Sequence, residues 1–221
     1  MKIIKADYQI LSPDLDDPNC AGRIYRKIEY AGRTCYKSTD KITDESAEKF
    51  VRNIRKNNHE AMLEHESITV KFIVDRGVSH ELVRHRLASF AQESTRYCNY
   101  SQDKFGNEIA VIDPYFFRGE GDFEKLDEWM DAMIDAERHY LKLLELGSTP
   151  QEARSVLPNS LKTEVVMTAN IREWRHFLKL RAAGVTGKPH PQMLEVAVPL
   201  LNELRLKLPA LFDDISPMEV E

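Results

Sequence analysis

The 221-residue sequence predicts an α+β fold: one domain over 1–221, a mostly antiparallel sheet and several flanking helices. Three observations predict it. The stretch "SITVKFIVD" at 67–75 alternates with period two, as a half-buried strand does. Several longer stretches instead repeat apolar residues at three- and four-residue spacing, as amphipathic helices do. The two patterns do not alternate strictly along the chain, so a doubly wound parallel sheet is not expected.

The elements follow in order. Residues 2–11 read as a strand. Residues 19–34 carry Ile24, Tyr25, Ile28 and Ala31 at helical spacing. Residues 44–57 repeat the pattern with Ala47, Phe50, Val51 and Ile54, behind Thr43 or Asp44 as cap. In the 67–75 strand, Ile68, Val70, Phe72 and Val74 share one face. Gly77 ends that region. Ser79 caps a helix to about residue 88, with Glu81 in its first turn, and a polar irregular segment follows. Gly106, Asn107, Pro114, Gly119 and Gly121 make 101–121 a loop. Residues 122–146 form a long helix that Gly147 stops. "TPQE" at 149–152 is a capping box with proline at the first helical position, and Pro158 keeps that helix short. Residues 161–169 alternate weakly as a strand, and 170–183 and 191–207 are two more helices.

Composition narrows the function. Hydrophobic residues make up 42% and charged residues 30%, and the net charge is −5. A general nucleic-acid binder is normally basic, so none is expected. No apolar run approaches the roughly 20 residues that span a bilayer. "MKIIKADYQIL" carries Asp7 and does not read as a signal peptide. Cys20, Cys35 and Cys98 form no CxxC pair or disulfide framework, which fits a reducing cytoplasm.

Donors are concentrated in "RHRLASFAQESTRY" at 84–97. In "SHELVRH", His80 and His85 are five apart, which turns their rings about 140° apart on a helix and excludes a shared zinc. In "HEAMLEH", His59, Glu60, Glu64 and His65 could gather a metal, but no third-ligand motif accompanies them, and no metal site is expected. Cys98 beside an arginine reads as a half-buried thiol rather than a nucleophile. At about 100° per residue, Asn170 and Arg181 fall on the Trp174–Phe177 face of their helix, with Arg172, Arg175 and Lys179 opposite. An arginine on an apolar face needs a carboxylate or a bound anion. Arg84, Arg86, Arg96, Arg154 and Arg181 together would suit a phosphorylated heterocycle, since a guanidinium grips phosphate with a fork of donors.

Arg84-His85-Arg86, seven residues and then Ser94 resembles the signature of the flavin-dependent thymidylate synthases. "STRY" at 94–97, "HEAMLEH" upstream, and "ARSVLP", "TAN" and "FLKLR" downstream are similar to family segments in the same order, over about residues 20–205. The resemblance implies an α+β homotetramer with active sites between subunits. It implies methylation of dUMP to dTMP, with methylenetetrahydrofolate as donor, FAD as reductant and NADPH re-reducing the flavin. It places Arg84, His85 and Arg86 at FAD, together with Ala61, Gln92, Asn170, Ile171, Arg172 and His176. Glu81, Leu82, Val83, Arg84, Gln92, Glu93, Ser94, Thr95, Arg96 and Arg154 fall at dUMP. Arg181 corresponds to the arginine that contacts the uracil and favours its ionisation at N3, and His59 to a histidine near flavin and folate. Gln92 stands where many members carry Glu, so no carboxylate does acid–base work there; Glu93 is expected to point elsewhere. Position 91 is Ala where some members carry Asn, and His176 stands where some carry Asn. The family uses no cysteine nucleophile, which leaves Cys98 outside the chemistry. A nucleotide- or RNA-binding module, a flavin enzyme with another acceptor and a metal hydrolase built on His59, His65 and His85 are the rival readings.

Overall fold

Where the sequence alternates, the chain pairs. In the computed structural model, which describes residues 1–219, strand β3 (Ser67–Asp75) turns Ile68, Val70, Phe72 and Val74 fully inward. Strand β6 (Lys162–Asn170) buries every second residue from Thr163 to Ala169. The two run antiparallel. Ile171 N–H donates to the Glu66 carbonyl, the Thr69 and Thr168 hydroxyls meet, and Arg76 N–H donates to the Leu161 carbonyl. One number rises as its partner falls, which only an antiparallel ladder gives. With β2 (Asp7–Ser12) and β4 (Ala88–Gln92) they form a four-stranded sheet ordered β2-β3-β6-β4.

The single strand expected over 2–11 is two strands. β1 (Lys2–Ile4) pairs in parallel with β5 (Ala110–Ile112), Ile3 opposite Val111, while β2 belongs to the larger sheet. The break at residues 5–6 lets one run of sequence serve two sheets. β5 also places a short strand inside the expected loop 101–121, and β4 is a strand where an irregular segment was expected.

Helix α1 (Cys20–Cys35), α2 (Ser46–Lys56) and α4 (Phe123–Glu145) match the apolar spacing. Gly147 follows α4 at φ +93°, a conformation that favours glycine. The capping box forms on α5 (Pro150–Ala153), Thr149 and Glu152 satisfying each other's ends. Two caps differ from expectation. Neither the Thr43 nor the Asp44 side chain caps α2; the Ser46 hydroxyl accepts the Thr43 N–H at 2.9 Å instead. α3 (Arg76–Leu82) starts four residues early, because the Asp75 carboxylate accepts Val78 N–H at 2.6 Å. Gly77 and Ser79 therefore lie inside α3, Glu81 lies in its last turn, and the helix ends well before residue 88. α6 (Ile171–Arg181) and α7 (Pro191–Lys207) stand as expected, and a short α8 (Pro209–Phe212) follows.

The chain divides into two compact units. Unit 1 takes Met1–Asp7, Phe72–Arg84 and Ala91–Val165; unit 2 takes Tyr8–Lys71, His85–Phe90 and the chain from Val166. Unit 1 has its own core around Tyr100, Ile109, Val111, Met133, Tyr140 and Leu161. Unit 2 is centred on Ile28, Val51, Trp174, Phe177 and Leu201, with the Trp174 indole N–H donating to the Ile68 carbonyl at 2.9 Å. Among the described residues, no helix is long and apolar enough to cross a membrane.

Candidate functional site

In unit 2 the site is built on α6. Asn170 ends β6 and caps the helix, its Oδ1 accepting Glu173 N–H at 2.9 Å. This strand-to-helix corner opens onto a cavity of about 490 Å³. The sequence-predicted Asn170, Arg172 and His176 line it, and so do Glu60, Glu64, Glu173, Arg175 and Lys179, which the sequence reading did not assign. Arg172 donates to Glu64 at 2.6 Å. Arg175 forms a two-pronged pair with Asp214, both contacts at 2.8 Å, and also donates to the Leu211 carbonyl.

The guanidinium that α6 buries is thus Arg175, 2% exposed, while Arg181 is partly exposed. The helical wheel set Arg175 opposite the Trp174–Phe177 stripe. That face is covered as well, by Glu60 and the 211–214 segment, so the charge is enclosed and paired.

His85 is buried within reach of α6. Its Nδ1 lies 3.1 Å from Glu173 Oε1, and Arg181 Nε–H donates to its Nε2 at 3.4 Å. The Phe177 ring meets it edge-on at 5.0 Å and the His176 ring at 5.7 Å. Burial lowers the His85 pKa below 6.5; the Glu173 carboxylate opposes that, and the charges of Arg181 and His176 add to it. Burial therefore favours the neutral ring. His85, Glu173 and His176 bring three metal-ligand-type atoms within 4.8 Å, a cluster that takes in neither His59 nor His65. The Arg181 guanidinium holds a fixed positive charge against His85 Nε2, which makes the cluster a hydrogen-bonded chain rather than a cation cage.

His59 and Ala61 line a second cavity in unit 2, of about 270 Å³, with Tyr36, Phe50, Ile54 and Met62. Ile171 is fully buried, so only its backbone can reach a ligand, and Arg86 is exposed.

Unit 1 gathers most of the residues placed at the nucleotide. The Gln92 amide donates to Ser79 Oγ at 2.9 Å and to Thr163 Oγ1 at 3.3 Å, both hydroxyls fully buried. Thr95, 5% exposed, accepts from Arg154 at 3.4 Å, and Arg96 donates to Gln151 at 3.1 Å. Those contacts tie the 94–97 turn to the α5 region. Glu93 turns inward, accepting from Tyr100 OH at 3.0 Å and Lys162 Nζ at 2.9 Å. Burial works against the Lys162 charge, but hydrogen bonds to Glu164 and Glu93 outweigh it and raise its pKa. Leu82 is buried while Val83 and Arg84 are exposed at the end of α3; Glu81 lies between these extremes.

The donor chemistry in unit 2 fits a flavin dinucleotide. The cavity offers cationic Arg172 and Lys179 for phosphate, the Asn170 amide and His176 for ring edges, and a volume in the usual range for ligand sites. Glu60 and Glu64 stand against those cations and neutralise them.

Fold and site together define a class: an α+β protein with a cavity lined by paired cations and carboxylates at the start of α6. Known proteins sharpen it. Residues 23–210 match the family model described as thymidylate synthase complementing protein. The flavin-dependent thymidylate synthase of Corynebacterium aurimucosum is 35% identical over 203 residues, covering 85% of this chain and 78% of the relative. That of a Mycobacterium species is 33% identical over 212 residues, covering 86% and 79%. The crystal structure of the UMP/dUMP methylase PolB from Streptomyces cacaoi, bound with 5-Br dUMP, shares the fold with TM-score 0.76 at 22% identity, covering 96% of each chain. The chain belongs to the thymidylate synthase complementing protein family, whose curated relatives here are flavin-dependent thymidylate synthases.

Glu60 and Glu64 were visible in "HEAMLEH" but were weighed as metal ligands, not as arginine partners. Glu173 carries a weak local signal, three residues after a capping Asn. Its pairing with His85, 88 positions away, carries none.

Proposed function

We propose that this chain is a flavin-dependent thymidylate synthase that converts dUMP to dTMP. It takes the one-carbon unit from methylenetetrahydrofolate and releases tetrahydrofolate. FAD, once reduced by NADPH, would supply the two electrons. The observation that carries the reading is the family match over 23–210, within which Arg84-His85-Arg86 and Ser94 keep the signature spacing.

The chain works as one domain in a cytoplasmic homotetramer, its active sites completed between subunits. Arg96 and Arg154, with Ser94 and Thr95, hold the dUMP phosphate. Gln92 is a neutral donor and acceptor for the nucleotide, fixed by Ser79 and Thr163. Glu81, Leu82, Val83 and Arg84 form the adjoining wall, mainly through backbone. Asn170, Ile171, Arg172 and His176, with Ala61, Arg84, His85, Arg86 and Gln92, position the flavin, and His59 stands near flavin and folate. The Arg181 guanidinium is cationic, so it stabilises negative charge that develops on the uracil ring. No cysteine forms a bond to substrate.

Flavin-loaded protein should form dTMP from dUMP, methylenetetrahydrofolate and NADPH. NADPH oxidation that proceeds in flavin-loaded protein without any dependence on dUMP would show a flavin enzyme with another acceptor and defeat the reading.

A further inference from the structure

We propose that Glu173 is a positioning residue: through the imidazole of His85 it fixes where Arg181 holds its guanidinium. The inference rests on Arg181 facing the uracil. Glu173, Phe177 and Arg181 follow one another at four-residue steps, so they form one stripe along α6. Eight residues of helix separate the carboxylate from the guanidinium by about 12 Å along the axis, too far for an adjacent-turn pair. The His85 ring spans that interval. One nitrogen lies 3.1 Å from Glu173 and the other accepts from Arg181 at 3.4 Å.

The directions of these bonds are fixed by chemistry. A guanidinium only donates, so His85 Nε2 must be the bare nitrogen. A neutral ring then carries its proton on Nδ1, and that N–H donates to the carboxylate. The carboxylate sets the tautomer, and the tautomer leaves the lone pair that orients Arg181. Glu173 is itself anchored, since its own N–H is held by the Asn170 cap. Phe177 packs edge-on against the His85 ring at 5.0 Å and limits its rotation. The charged and titratable groups around the ring are Glu173, His176 and Arg181. Without the carboxylate, the proton can move to Nε2, where it repels the guanidinium it formerly received.

The test combines Glu173→Ala, Arg181→Ala and the double variant in flavin-loaded protein, read by dUMP dissociation constant and by the ¹⁵N shifts of His85 in histidine-labelled protein. The expected result is Nδ1–H in the parent and loss of that tautomer in Glu173→Ala. dUMP binding should weaken about tenfold in Glu173→Ala, and the double variant should bind no worse than Arg181→Ala, because residues acting through one chain are non-additive. A tautomer unchanged by Glu173→Ala, or losses that multiply in the double variant, would overturn the proposal. If the parent does not bind dUMP, the substrate reading fails and the tautomer alone decides the positioning role. If Glu173→Ala does not fold, Glu173→Gln replaces it. Its carboxamide oxygen still accepts from Nδ1–H, so a loss within about threefold that disappears on an Arg181→Ala background supports the chain. A larger loss, or one that multiplies with Arg181→Ala, contradicts it.

Discussion

The contacts around Gln92 in unit 1 join neutral groups, whereas those around the unit 2 cavity join opposed charges. In unit 1 an amide and two buried hydroxyls, Gln92 with Ser79 and Thr163, form a network that does not titrate near neutrality. In unit 2 the cations around the cavity already have carboxylates: Arg172 has Glu64 and Arg175 has Asp214. A neutral network keeps its hydrogen bonds across a wide pH range. Paired charges are costly to bury and hold their geometry only while both partners stay ionised. The two halves should therefore fail differently when they are disturbed.

The largest effect is expected in unit 2. Arg181→Ala should lower the turnover of dTMP formation about 10²–10³-fold, the usual loss when a donor to developing charge is removed. Steady-state kinetics on folded, flavin-loaded protein checks it. Next is Arg175→Ala, which strips the partner from Asp214 and opens the 211–214 contact. It should cost about 2–4 kcal/mol in urea unfolding, the lower side of a buried pair because Asp214 keeps some solvent. In unit 1, Gln92→Ala leaves Ser79 and Thr163 short of a donor. It should weaken dUMP binding about tenfold in a titration of flavin-loaded protein, an effect of one or two neutral hydrogen bonds.

A pH series sharpens the contrast. Asp213 and Asp214 are pushed up by burial, but Arg52, Arg55 and Arg175 more than offset that and hold them below 3.8. Burial holds His85 below 6.5. Both kinds of group stabilise unit 2 above their ordinary pKa, and that stability is lost as pH falls: from His85 below 6.5, and from the aspartates below 3.8. In unit 1, Lys162 is raised above 10.5, so its contribution is full below that value and lost as pH rises through its folded pKa. Burial and Glu93 likewise raise Tyr100, which adds to the alkaline loss. The chain has two tryptophans, Trp129 in unit 1 and Trp174 in unit 2, so Trp129→Phe and Trp174→Phe leave one fluorescent reporter each. The Trp174 reporter should move first in acid and the Trp129 reporter first in alkali; reporters that move together at both ends would break the comparison. The smallest effect is expected from Cys98→Ala, which should keep turnover within about twofold, as a substitution away from the chemistry does.

Legibility in the sequence also differs between regions. β3 was plain because four large apolar residues occupy one face with nothing to contradict them. The Thr149 capping box and the Gly147 stop were plain because each is a local hydrogen-bond rule. β4 was hidden: "ASFAQ" has one large apolar residue and lies inside a polar run, and only its neighbours in the sheet make it a strand. The start of α3 was misplaced because two residues could cap it, and the Asp75 carboxylate prevails. At the site, the signature residues were found by their spacing, which is a covalent property of the chain. Glu173, Arg175 and the carboxylates Glu60 and Glu64 owe their roles to partners far along the chain, and no spacing records those.

The most direct measurement is dTMP formation from dUMP, methylenetetrahydrofolate and NADPH, run on flavin-stripped protein with and without added FAD. The account predicts product only when FAD is present, with one NADPH oxidised for each dTMP formed. Folded, flavin-loaded protein that binds dUMP and yields no dTMP would contradict it.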